Sequence, residues 1–308
     1  MKFKKPNFWN SINFFSIILL PFSLITLVIN ILKSLVIEEQ RFNIPIICVG
    51  NIFVGGTGKT PLSIYIYNFL KKKGFKPAIV RKYYRTHVDE INLTKDKVKK
   101  FYFGKKRFLS ILKAEQKNNN VIIMDDGFQD CSIKKDLNIL CFNSLDKIGN
   151  GFLLPAGPLR DQLNKVNTCQ IAIINGKKNI SFEKELKLIS NNIRIYQSKY
   201  IIKNIKKFKG KKIFAFAGIG NPDSFFNLLK ESGLNIKDRV SFPDHYNYTK
   251  NEILDLILRA KKEKLKLITT EKDFYRIKKF GLKKVDYVSI ELRIKNYNSF
   301  IKEVLKNI

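Results

Sequence analysis

From Pro6 to Leu32 the chain carries no charged side chain, and its few polar residues are not scattered. Asn13, Ser16, Ser23, Thr26, Asn30 and Lys33 follow one another at intervals of 3, 7, 3, 4 and 3. That spacing puts them on one narrow stripe of a helix, which Pro21 is expected to kink or interrupt in mid-run. Phe14 to Leu32 is long enough to span a bilayer, for which about 20 apolar residues suffice. A kinked helix with one weakly polar stripe fits a segment embedded in a membrane surface, or packed on a folded domain, better than a simple span. A buried core helix is the remaining reading. Lys2, Lys4 and Lys5 precede the segment, and Trp9 beside them is expected at headgroup level. No small-x-small site follows Lys33, so a cleaved signal peptide is not expected.

Downstream the pattern changes. Ile44 to Asn51 is a short apolar, β-branched run closed by Gly-Asn and predicts a buried strand. Gly55-Gly56-Thr57-Gly58-Lys59-Thr60-Pro61 follows, and helical periodicity then runs over Leu62–Lys73 to Gly74. Strand, glycine-rich loop with Gly-Lys-Thr, and helix are the setting of a phosphate-binding loop. The N–H groups of such a loop and of the helix start form an anion nest. Gly55, Gly56 and Gly58, flanking Thr57, let phosphate oxygens approach without a Cβ in the way. Lys59 is then the residue that bridges β- and γ-phosphates, and Thr60 the one that ligates Mg²⁺. The first glycine of the usual pattern is missing, because Phe53 stands in its place.

A second apolar run, Val121–Met124, ends in Asp125-Asp126-Gly127. Carboxylates at the end of a strand are where an α/β fold presents metal ligands to a nucleotide; an Asp-Gly turn gives the same pattern. With the loop, they predict an α/β protein with a P-loop NTPase-like parallel sheet. Asp89-Glu90 reads by itself as a solvated pair. His245 lies in a polar, aromatic loop ahead of a helix that starts near Thr249, with Glu252 in capping-box position. Its residue type alone fits capping or packing as well as chemistry.

Length and composition narrow the rest. The chain has 308 residues, enough for about two domains. With 44% hydrophobic residues it is not a disordered tail. Its 58 Lys+Arg against 26 Asp+Glu give a formal charge of +32, which points to nucleic acid, anionic lipid or a phosphorylated substrate. The lysines are spread along the chain, however, and Lys, Ile, Asn and Phe are all abundant, as an AT-rich genome would make them. No RNP-like, zinc-finger or basic heptad pattern is present, so nucleic acid is not an expected partner. Cys48, Cys131, Cys141 and Cys169 have no C-x-x-C spacing, and His87 and His245 stand away from them. They read as reduced thiols of a cytosolic protein rather than a zinc site or disulfide framework. The alternative function is a membrane-associated P-loop ATPase or GTPase without a lipid acceptor. Asn143-Ser144-Leu145-Asp146 lacks the Lys of a guanine selector.

Taken in order, the motifs resemble the tetraacyldisaccharide 4′-kinase (lipid A 4′-kinase) family. The series is Pro6, Phe8 and Trp9 with the apolar helix; Val49-Gly50-Asn51 and the Gly55–Pro61 loop; Asp89-Glu90; Asp125-Asp126-Gly127-Phe128-Gln129; Gly149 to Arg160, the most specific block; Ala217 to Pro222; Phe242 to Tyr246; and Thr269-Thr270-Glu271-Lys272-Asp273. The family's loop also lacks the first glycine. The resemblance implies a membrane-associated enzyme on the cytoplasmic face of the bacterial inner membrane. Its reaction would transfer the γ-phosphoryl group of MgATP to the 4′-hydroxyl of a lipid disaccharide 1-phosphate. It implies Asp89 as base near the acceptor hydroxyl, with His245 brought to it from the C-terminal domain. Asp125, Asp126 and Gln129 would serve the Mg²⁺/ATP site, and Arg107 and Arg160 would contact phosphate. It implies two α/β domains; composition sets the division at residues 1–35 as membrane segment, 36–175 as kinase domain and 176–308 as a smaller α/β domain carrying His245. The chain departs from the family's pattern at Arg81–Arg85 (usually Ser-Arg-Gly-Tyr-Gly), at Val88 (Gly) and at Asp130 (His).

Overall fold

The computed structural model describes residues 6–85 and 88–308. Lys2, Lys4, Lys5 and His87 lie outside them. Contacts divide the chain into two compact units. The larger holds the residues up to Tyr83, Val98–Lys199 and Ile294–Ile308; the smaller holds Tyr84–Lys97 and Tyr200–Arg293.

The larger unit is built on parallel strands: β1 (Ile46–Gly50), β2 (Pro77–Lys82), β3 (Phe101–Gly104), β4 (Val121–Asp125), β5 (Leu137–Asn143), β6 (Ile171–Asn175) and β7 (Arg194–Ile202). Their order is β7-β6-β5-β1-β4-β2-β3. β1 and β4 are buried throughout, as expected for near-continuous apolar runs in a parallel sheet covered on both faces. The chain returns from β3 to insert β4 between β1 and β2, and then continues with β5 on the other side of β1. The carboxyl ends of β1 and β4 therefore meet at the point where strand order reverses, the usual ligand crevice of such sheets. Register places Asp125 beside Val49, at the mouth of the glycine-rich loop. Helices α3 (Lys59–Lys72), α5 (Arg107–Gln116), α6 (Ile180–Ile189) and α10 (Tyr297–Lys306) belong to this unit. Phe300 of α10 is fully buried beside Tyr65 and Tyr196, which returns the C-terminus to the larger unit.

The N-terminal segment belongs to the larger unit too. It forms α1 (Phe14–Ile18), capped by Asn13 and Ser16, and α2 (Leu20–Val36). The expected mid-helix kink at Pro21 is instead a break at Leu19. Pro21 sits in the first turn of α2, where a missing N–H costs no hydrogen bond. Trp9 is not exposed for a headgroup role. It is 2% exposed, and its indole N–H donates to the Pro155 carbonyl at 3.0 Å. The polar stripe also faces protein. Ser16 and Ser23 are buried, Ser23 Oγ donates to Leu153 O at 2.8 Å, and Asn30 Nδ2 donates to Arg160 O at 3.0 Å. The apolar positions between them point away. Phe14, Phe15, Phe22, Leu24, Leu35 and Val36 are each more than half exposed. No helix among the described residues is long and apolar enough to cross a membrane.

The smaller unit is a parallel sheet of β8 (Lys212–Ala217), β9 (Asn235–Ser241), β10 (Lys266–Thr270) and β11 (Asp286–Val288), ordered β11-β10-β8-β9. Helices α7 (Pro222–Glu231), α8 (Lys250–Lys262) and α9 (Glu271–Ile277) belong to it, with α4 (Val88–Lys97) supplied from an earlier stretch of chain. Thr249 and Glu252 form the expected capping box of α8. This division differs from one at residue 175. β6 pairs in register with β7, so residues up to Lys199 stay with the larger unit. Residues 84–97 leave it because α4 is tied to α9, by Lys97 to Glu271 at 2.5 Å and by Lys272 to Glu90.

Candidate functional site

In the larger unit the loop after β1 leads into α3 through Gly58, whose φ of 94° a residue with a side chain rarely adopts. α3 starts at Lys59, earlier than the periodicity of Leu62–Lys73 suggests, and no side chain caps it. An uncapped helix start, with the positive end of its dipole, is what anion binding requires. Asn51, fully buried, braces the loop: its Nδ2 donates to Phe53 O at 2.6 Å and to Thr57 Oγ1 at 2.9 Å. Phe53 fills the place of the missing glycine as a buried core residue, bridged through its backbone to Leu159.

Asp125 is fully buried, and both its oxygens are engaged. Oδ2 accepts from Thr60 Oγ1 at 3.0 Å and Arg81 NH1 at 2.7 Å; Oδ1 accepts from Ser63 Oγ at 3.0 Å. Arg81 also donates to Thr60 Oγ1 at 2.9 Å. Asp126 Oδ1 lies 3.6 Å from Lys59 Nζ and 2.9 Å from Arg160 NH2. Burial by itself would raise the Asp126 pKa, but Lys59 and Arg160 outweigh it and hold the carboxyl well below the usual range. Arg107, at the start of α5, donates to the Asp126 carbonyl and pairs with Asp130 at 2.9 Å. Asp130, standing where the family has His, thus receives a cationic partner. Hydrogen bonds from Ser132 and Arg107 overcome its burial and lower its pKa. Gln129 Nε2 donates to Asn51 O at 2.8 Å. Thr57, Lys59, Thr60, Asp125, Asp126, Gln129, Arg107 and Arg160 therefore gather around one crevice with Gly55, Gly56 and Gly58. Sequence reasoning passed over Asn51, Arg81 and Ser63. Arg81 had a signal, since it is the next-to-last residue of β2, whose register sets it beside Asp125.

The block Gly149–Arg160 is the fastener of this region. Arg160 N donates to Ile52 O at 2.7 Å and Val54 N to Pro158 O at 2.9 Å, so it runs along the glycine-rich loop. Its other side holds the N-terminal segment through Trp9, Ser23 and Asn30. A Cβ on Gly149 would come within 2.6 Å of the Trp9 carbonyl.

The smaller unit contains a second constellation. Asp89, buried on the first turn of α4, and His245 are in the same unit, with His245 Nδ1 3.7 Å from Asp89 Oδ2. The pair does not have to be assembled from separate units. His245 has a φ of 52°, a strained backbone for this residue type, and its N–H donates to Asp244 Oδ1 at 2.9 Å. Arg276 on α9 donates to Asp89 Oδ2 through Nε at 3.0 Å and through NH2.

The cysteines are free and take no part in either constellation. Burial pushes the Cys48 thiol up to about 11 and Cys169 up to about 12.

The fold is mixed α/β on a large parallel sheet, with an uncapped helix start and paired carboxylates at the reversal of strand order. A family model described as tetraacyldisaccharide-1-P 4′-kinase matches residues 15–308, and the chain belongs to that family. It is 39% identical over 315 residues to a tetraacyldisaccharide 4′-kinase of Pelagibacter ubique (strain HTCC1062), with 99% of this chain and 98% of the relative covered. It is 32% identical to one of Rickettsia bellii (strain OSU 85-389), with 99% of each covered. A solved structure of LpxK from Aquifex aeolicus in complex with ATP shares the fold at a TM-score of 0.72 and 22% identity, covering 95% of this chain and 99% of that one.

Proposed function

We propose that this chain transfers the γ-phosphoryl group of MgATP to the 4′-hydroxyl of a tetraacylated glucosamine disaccharide 1-phosphate. The observation that carries the reading is the match to this kinase family over residues 15–308. The P-loop NTPase-like crevice supports it. An uncapped helix start ringed by Lys59, Arg81, Arg107 and Arg160 suits a polyphosphate. The buried Nε atoms of Arg107 and Arg160 have no acceptor among the described residues, so donors remain for phosphate oxygens. Nothing favours a nucleotide hydrolase without an acceptor.

In this reading Gly55, Gly56, Thr57 and Gly58 bind the phosphates through backbone N–H groups, and Lys59 exchanges Asp126 for the γ-phosphate as charge moves there. Gln129 and Arg160 hold the loop and contact the nucleotide. Thr60, Asp125 and Asp126 are the hard oxygen donors that would hold Mg²⁺, Thr60 and Asp125 in exchange for their bonds to Arg81. No group of three or more acidic, His or Cys side chains able to hold a metal occurs among the described residues, so the ion would share its shell with phosphate and water. Bound there, Mg²⁺ would neutralise charge on the transferring phosphoryl group. Asp89 accepts the acceptor's hydroxyl proton, a role that contributes roughly 10²–10⁴ in rate, and His245 orients it.

The lipid substrate also gives the exposed face of α1 and α2 a purpose. We place that face in the surface of the cytoplasmic side of the inner membrane, where the acyl chains stay while the sugar is phosphorylated. The kinase domain is the larger unit, and the smaller one is the α/β domain carrying His245.

The test incubates the purified chain with γ-labelled ATP and the tetraacylated disaccharide 1-phosphate in mixed micelles. A labelled lipid that depends on both substrates is expected. Release of labelled inorganic phosphate with no labelled lipid would replace the reading with simple hydrolysis.

A further inference from the structure

The Thr269–Asp273 motif has no role so far, and neither does Arg276, a cation that touches both Asp89 and His245. We propose that Arg276 is a positioning residue of the transfer reaction: it fixes the Asp89 carboxylate and dictates which nitrogen of His245 carries the proton. The inference rests on the kinase reading above, with Asp89 as base.

Arg276 is anchored before it reaches Asp89. Its NH1 donates to Asp273 Oδ1 at 2.7 Å and to the Gly218 carbonyl at 2.6 Å. Asp273 is itself fully buried and held from three other sides. Its Oδ2 accepts from Gly218 N at 3.0 Å and from Thr270 Oγ1 at 2.7 Å, and its Oδ1 accepts from Tyr248 OH at 3.0 Å. Tyr248 stays a donor there, because burial and the Asp273 charge raise its pKa. Thr270 is also the N-cap of α9, so the motif sets the helix start that aims Arg276. A Cβ on Gly218 would fall 2.6 Å from Tyr248 OH and 3.1 Å from Asp273 Oδ1, which leaves no room for another residue.

From this anchor the other edge of the guanidinium reaches two groups at once. Nε and NH2 both donate to Asp89 Oδ2, and NH2 lies 3.3 Å from His245 Nδ1. Both contacts to Asp89 go to one carboxylate oxygen, so Oδ1 is the one left to face the acceptor hydroxyl. A guanidinium has no acceptor. Its contact with Nδ1 therefore requires that nitrogen's lone pair, and the neutral ring carries its proton on Nε2. Asp244 also faces the ring, 3.8 Å from Nε2, while Asp273 and Tyr248 lie on the anchor side of Arg276. α4 is clamped to the same helix from two more points, Lys97–Glu271 and Lys272–Glu90, which keeps Asp89 within reach of Arg276. Lys cannot substitute: one ammonium cannot span Asp89, Asp273, the Gly218 carbonyl and the imidazole in a fixed plane.

The experiment compares Arg276→Gln and Arg276→Lys with the unaltered chain. Phosphoryl transfer to the lipid acceptor, ATP affinity by equilibrium binding and the ¹⁵N imidazole shifts of His245 are measured. The His245 signals are assigned with His245→Gln. Both variants are expected to lose about 10²-fold in kcat, with ATP affinity unchanged. The unaltered chain should show the Nε2–H tautomer, and Arg276→Gln should show a mixture. Variants that keep both kcat and the tautomer overturn the proposal and leave the kinase reading intact. An unaltered chain that makes no labelled lipid overturns the kinase reading itself. If Arg276→Gln unfolds, Arg276→Lys and the tautomer of the unaltered chain still decide, and an Nδ1–H ring there refutes the proposal.

Discussion

Asp89 and His245 share one guanidinium, and that decides how their removal combines. Asp89→Ala and His245→Ala should each slow transfer, and the double variant should be no slower than the worse single one, because both act through the same proton acceptor. Additive losses in initial rates would show two independent roles. Lys59→Ala is expected to abolish turnover altogether. Asp126 offers a different readout. Its carboxyl is held below the ordinary range in the folded chain, so it stabilises the fold at and above the unfolded value of about 3.9. That contribution is lost as pH falls through the folded value. Urea unfolding at pH 7, 5 and 3.5 should show a decline toward acid in the unaltered chain and a smaller decline in Asp126→Asn. Equal declines would mean that Lys59 and Arg160 do not hold this carboxyl in solution. At this scale the sequence was uneven as a guide. Lys59, Thr60 and the paired aspartates announced themselves because glycines and strand ends give them a fixed setting. Arg276 did not, being one of 58 basic residues whose partner Asp89 is 187 positions away.

Among the elements, α1 and α2 reverse the usual pattern of a surface helix, turning Ser16, Ser23 and Asn30 of the polar stripe toward protein and exposing apolar side chains. The stripe was legible as a period, but not which side faces protein, because Ser23 and Asn30 find their acceptors 130 residues away. The burial of Trp9 is hidden in the sequence for the same reason, its acceptor being the distant Pro155. The prediction therefore separates the two faces. Replacing Phe14, Phe15, Phe22 and Leu24 together by Gln should leave thermal stability and ATP binding intact and sharply lower activity on vesicle-borne substrate relative to dispersed substrate. Trp9→Ala should instead cost about 3–5 kcal/mol in urea unfolding. Full activity of the four-Gln variant on vesicles would remove the membrane role.

For the whole molecule, a charge of +32 adds an electrostatic term to the apolar face. Sedimentation with vesicles containing anionic lipid should therefore be strongest at about 0.05 M salt and fall, though not to zero, by about 0.5 M, where the Debye length is well under 10 Å. On zwitterionic vesicles the salt dependence should vanish and the apolar part remain. Binding abolished by salt on both would mean that charge alone holds the chain. The parallel α/β class was legible from apolar runs and loop chemistry. The course of the chain between the units was not, since residues 84–97 look like any polar loop and are claimed by α9 only through contacts made in three dimensions.

That detour makes the smaller unit a body whose instructions lie in two separate places along the chain. A fragment cut out at residues 200 and 293 would fold, if at all, without the helix that carries its carboxylate, and would strand Arg276, Lys272 and Glu271 without their partners there. Exchange of this unit between relatives thus requires transplanting residues 84–97 with it; moving either stretch alone separates a base from the arginine that aims it.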